Sequence, residues 1–145
     1  MDWHRVAMQW LCNRDVTGQS CRMFAYERLY AWRAAHRMAL EIYRITDAWP
    51  KEERFGITIQ LRRAAVSVPN NIAEGAGKRG SKEFRRFLDM ALGSLSEVSY
   101  LLLFSKDRGL LNADDWQTMD KVRGDASRLT WRLYDAVSKH ADRPR

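Results

Sequence analysis

Arg63, Ser67, Asn70 and Glu74 are spaced four, three and four residues apart. A helix through them would line a guanidinium, a hydroxyl, an amide and a carboxylate along one face. Catalysis on such a row needs a base and a nucleophile, and no His or Cys falls beside it. The three histidines, His4, His36 and His140, lack the Glu-x-x-His or His-Glu-x-x-His spacing of helical metal centres. Gly75, Gly80, Ser81 and Lys82 superficially resemble a phosphate loop. That loop requires Gly, four residues, then Gly-Lys-Ser/Thr on a strand-to-helix turn. Here Ser precedes Lys, and no strand is expected. The pattern predicts no enzyme, no metal and no cofactor.

A second cluster suits binding better. Lys78, Arg79, Lys82, Arg85 and Arg86 gather where a helix is expected to begin. Cations at that end oppose the helix macrodipole. The same end presents free N–H groups, and cations beside them make a place for a phosphate oxygen. Elsewhere the chain obeys the dipole, with Asp114 and Asp115 early in the last helix and Lys139 late. The rival reading is a solvated edge partly neutralised by Glu83 and Asp89. Arg62 and Arg63 extend the basic set upstream. With a formal charge of +7 over 145 residues, the expected partner is nucleic acid, RNA in the first instance.

Hydrophobic residues make up 46% of the chain, including six Trp, which argues for a folded core and against disorder. The length suits one domain. Cys12 and Cys21 have no ligand cluster around them and read as free thiols in a reducing compartment. "VAMQWLC" lacks the cationic start and apolar core of a signal peptide, and "YLLLF" is too short to span a membrane. A cytoplasmic protein without a membrane partner is expected.

The elements that must position these groups follow from periodicity. Residues 1–24 form an extension, polar and turn-rich at "NRDVTGQSC", expected to be disordered or loosely packed, with Met23 as an alternative initiator. Residues 25–140 keep a 3.6-residue rhythm, and 141–145 form a tail. Leu29, Trp32, Ala35, Ala39, Ile42, Ile45 and Trp49 mark a first helix. Thr58, Leu61, Ala65, Val68 and Ile72 mark a second. Phe84, Leu88, Ala91, Leu95, Val98 and Leu102 mark a third, with Ser81 as its expected N-cap and Gly109 as its stop. Asn112 and Asp115 open a fourth, which carries Met119, Val122, Ala126, Leu129, Leu133 and Val137. Four helices with short connections predict an all-α, antiparallel up-down bundle.

Two helices are apolar over more than one stripe. Ile59, Val66, Pro69 and Ala73 flank the second stripe; Leu101, Leu103 and Phe104 widen the third. Excess apolar surface predicts a homo-oligomer. Pro69 is expected to kink the second helix, with Ser67, Asn70 or Asn71 bonding freed backbone groups. Gly75, Gly77 and, across the bundle, Gly93 predict close helix approach.

The segments "LRRAAVSVPNNIAEG" and "EFRRFLDMALGSLSE" resemble the bacterial four-helix-bundle proteins of the rRNA intervening-sequence family. The resemblance covers about Tyr26 to Val137, with Arg62, Arg63, Asn71, Glu74, Gly75, Glu83, Phe84, Phe87 and Glu97 at motif positions. The family is similar to the accessory variability protein of diversity-generating retroelements. That likeness implies a ring of five subunits with a basic surface, partnered by nucleic acid and a reverse transcriptase. It implies no catalytic residues. The N-terminal extension falls outside the family pattern.

Overall fold

The computed structural model describes residues 24–142, and the expectations for residues 1–22, Cys12 and Cys21 lie outside them. The described residues are all-helical, with four α-helices and no strand. These are α1 (Tyr30–Thr46), α2 (Ile57–Ala76), α3 (Ser81–Asp107) and α4 (Ala113–Ala141). Short 3-10 turns at Ala25–Arg28 and Lys51–Glu53 precede α1 and α2. Helix α1 packs on α2 and α4, and α3 packs on those same two helices.

The buried stripes follow the sequence rhythm. Leu61, Ala65, Val68 and Ile72 of α2 meet Leu88, Ala91, Leu95, Val98 and Leu102 of α3 in one core. Met38 and Ile42 of α1 and Met119, Val122 and Ala126 of α4 complete it. Leu101, expected on an outer stripe, is buried in this core, and Pro69 is buried too. By length and composition α3 is the one described helix apolar enough to cross a membrane. Its buried positions face other helices, as in the core helix of a bundle.

The helix ends are set by specific residues. The first helix starts one residue after Leu29, whose backbone is extended, and stops before Trp49, which packs on the core from the connection. Gly109 adopts φ 74°, its N–H bonds the Lys106 carbonyl, and Leu110 N–H reaches the Ser105 carbonyl. These two bonds satisfy carbonyls that the end of α3 would otherwise leave open. Asn112 caps α4: its Oδ1 accepts the Asp115 N–H at 2.8 Å, and its amide donates to the Asp115 carboxylate at 2.9 Å. At the start of α3 the N-cap is Gly80, not Ser81. Gly80 sits at φ 95°, which a serine adopts only under strain, so the cap moves one residue back.

Long-range ion pairs tie the ends together. Arg44 near the end of α1 bonds Asp115 at the start of α4 at 3.2 Å. Its hydrogen bonds, to Glu41 first and Asp115 second, hold the guanidinium pKa above its ordinary value. Arg108, just past α3, reaches Glu53, ahead of α2, at 3.5 Å.

Candidate nucleic-acid interface

The connection between α2 and α3 gathers the basic cluster. Lys78 Nζ lies 3.6 Å from the Glu74 carboxylate and 5.2 Å from the centre of the Phe87 ring. Arg86 covers the same ring at 5.0 Å and pairs with Glu83 at 3.2 Å. One aromatic ring is therefore within cation–π range of two cations. Arg85 donates to Asp142 at 2.9 Å, which joins the start of α3 to the end of α4. Arg79 and Lys82 are exposed and have no hydrogen bond or ion pair among the described residues. No side chain caps the opening turn of α3. The result is a cationic edge around a helix start whose N–H groups face outward.

Helix packing at this edge centres on Gly75. A Cβ there would lie 2.8 Å from both Phe84 Cδ2 and Phe87 Cβ, so α2 and α3 approach where only a glycine fits. Gly77 has ordinary spacing, and a Cβ on Gly93 would meet nothing within 4 Å. Within one chain the close approach is a property of Gly75, not of Gly77 or Gly93. Sequence reading missed Phe87 as the support for Lys78 and Arg86. Sequence order alone does not reveal it, since adjacent residues do not share a helix face; the fold sets Phe87 against Gly75.

Arg62 and Arg63 are not brought to this edge. Arg63 is exposed on α2, about 20 Å along the helix axis from its end. Arg62 Nε donates to Thr46 Oγ1 at 2.7 Å, its Nη2 donates to Asp47 at 2.7 Å, and its guanidinium covers Tyr43 at 4.5 Å. That planar fork clamps the end of α1 to α2. Arg62→Ala should destabilise the protein by about 1–2 kcal/mol, and Arg62→Lys should restore little of it, read by chemical denaturation.

The row tested for catalysis does not act as a unit: Ser67 packs against α3, while Arg63, Asn70 and Glu74 are exposed. Ser67 and Ser94 hydroxyls bond at 2.9 Å across α2 and α3. The Asn71 amide, mostly buried, donates to the Ser67 carbonyl at 2.8 Å and to its hydroxyl at 3.1 Å. Asn70 stays exposed, and Glu74 faces Lys78. Helix α2 continues through Pro69, and the carbonyl that this proline leaves unbonded is Ala65's, not the Ser67 carbonyl that Asn71 serves.

A sequence profile of the family described as 23S rRNA-intervening sequence protein matches residues 27–131. The chain belongs to this family. The intervening-sequence match takes in α1, α2, α3 and the larger part of α4, so it contains the entire basic edge and its Gly75 support. No curated protein matches the chain.

Proposed function

We propose that this chain is a non-enzymatic, cytoplasmic protein that binds nucleic acid, RNA first, through the surface of Lys78, Arg79, Lys82, Arg85 and Arg86. The observation that carries the reading is the uncapped start of α3, flanked in sequence by two exposed, unpaired cations, Arg79 and Lys82. Cations at a helix start cost stability unless an anion answers them. A phosphate oxygen fits both the N–H groups and the side chains. Fluorescence anisotropy of a labelled RNA, with DNA and heparin as competitors, tests it. A complex that heparin dissolves is expected; no complex at low salt would overturn the reading.

The four helices form an antiparallel up-down bundle in this reading, supported by the three pairings Arg44–Asp115, Arg108–Glu53 and Arg85–Asp142. The bundle assembles with copies of itself, supported by Ile59 and Val66 of α2 and Tyr100, Leu103 and Phe104 of α3, which all stay exposed. Five subunits in a ring follow only from the likeness to the accessory variability protein of diversity-generating retroelements. The same exposed residues favour one alternative: an adaptor that docks another protein, such as a reverse transcriptase. Light scattering after size exclusion should give a mass several times that of the 17.0 kDa chain. A monomer at micromolar concentration contradicts self-assembly.

A further inference from the structure

The start of the described chain carries a run of rings that the basic edge does not use. Phe24 stacks on Tyr26, with centroids 5.7 Å apart and planes 6° from parallel. Tyr26 tilts against Trp32 at 4.8 Å. Trp32 stacks on His36 at 4.9 Å, with planes at 7°. The middle rings, Tyr26 and Trp32, are half-buried, whereas Phe24 and His36 at the two ends are exposed. Phe24 keeps 66% of its surface open. A ring that served only to anchor the chain would be covered, since burying a large aromatic side chain is worth about 1.5–3 kcal/mol.

The run is also held in place. Glu27 accepts the Phe24 N–H at 2.8 Å, and Arg33 Nε donates to the Glu27 carbonyl at 2.7 Å. The 3-10 turn that bears Tyr26, with Phe24 just ahead of it, packs on both α1 and α2. From the Arg62–Thr46 bond, about fourteen residues back along α1 and about fourteen forward along α2 each cover about 21 Å. Trp32 therefore stands level with Ala76, the last residue of α2 and two residues before Lys78. The rings and the cations share one end of the molecule. Arg33, 5.9 Å from the centre of the Tyr30 ring, and the exposed Arg37 add positive charge on the ring side.

We propose that this ladder receives unpaired bases from a strand whose phosphates lie on the Lys78–Arg86 edge, so that the chain selects single-stranded RNA over duplex. The inference rests on the nucleic-acid reading above. Flat rings beside cations recognise a strand by stacking, which any base permits, and a duplex hides its base faces within its own stack.

Anisotropy with three labelled probes tests it: a short single-stranded RNA, the same RNA in a duplex, and an abasic strand of equal length and charge. Wild-type protein should bind the base-bearing strand about ten- to a hundredfold more tightly than the abasic one. In a Phe24→Ala, His36→Ala variant that preference should fall to about twofold or less, with abasic affinity unchanged. A His36→Phe variant, which keeps a ring, should retain it. Equal wild-type affinity for base-bearing and abasic strands overturns the ladder while leaving the phosphate edge standing. So does a preference that survives in the double variant, or equal affinity for duplex and single strand. Failure of all three probes to bind overturns both readings together.

Discussion

Gly75→Val is expected to destabilise the protein by about 2–3 kcal/mol, lowering the melting temperature by about 10 °C. The new Cβ would meet Phe84 Cδ2 and Phe87 Cβ, both at 2.8 Å. The Phe84 ring can swing aside, but Phe87 Cβ is fixed to the α3 backbone, so the helices must part. Parting them loosens the packing under Lys78 and Arg86, which rest on the Phe87 ring. Gly75→Ala should cost less, because alanine recovers about 1 kcal/mol of helix propensity. Gly93→Ala is the contrast: with nothing within 4 Å, it should gain up to about 1 kcal/mol in a single chain. Thermal unfolding followed by circular dichroism checks all three. A Gly75→Val protein as stable as wild type would contradict the close approach. A Gly93→Ala loss that grows with protein concentration would put a second chain over Gly93.

The four helices were legible because their apolar positions recur every three or four residues; most of these positions form the core, and Leu29, Trp32, Trp49, Phe84, Leu129 and Leu133 pack half-buried against it. The end signals were legible where one residue type is required, as at Gly109 and Asn112. Ser81 misled because serine is a common cap, whereas the turn out of α2 needed the positive φ that Gly80 supplies. The basic edge was readable because its cations are close in sequence. Arg62 looked like part of it for the same reason; its partners Thr46 and Asp47 lie on another helix and its end, which spacing cannot reveal. The ring ladder escaped notice because it spans a 3-10 turn and a helix, so no single period links Phe24, Tyr26 and Trp32. Only the Trp32–His36 pair, four residues apart, carried a helical signal. Gly93 matched the small-residue pattern of Gly75, but the pattern alone does not say which glycine faces a neighbour.

The larger functional effect is expected from Lys82→Ala, Arg85→Ala and Arg86→Ala together. Each cation that meets a phosphate releases counterions, worth roughly sixfold in affinity at about 0.1 M salt. Loss of all three should weaken RNA binding by about two hundredfold. Arg85 and Arg86 already have carboxylate partners in Asp142 and Glu83, but both arginines sit in solvent-exposed pairs of little net strength. The fold should survive, since these substitutions remove charge from a helix start that disfavours it. Arg128→Ala with Arg132→Ala on α4 removes two cations away from the edge and serves as the control; it should lose far less per charge removed. If several copies of the edge act together in an assembly, the loss compounds in every copy.

The salt dependence of RNA affinity is the most direct test of the phosphate edge. Affinity of the wild-type protein, the triple variant and the α4 control is measured by anisotropy over a salt series. The log–log slope of the triple variant should be shallower than that of wild type by about 2–3 units, and the control should stay close to wild type. Equal slopes for the triple variant and wild type, with the variant folded, would contradict a phosphate site at the start of α3.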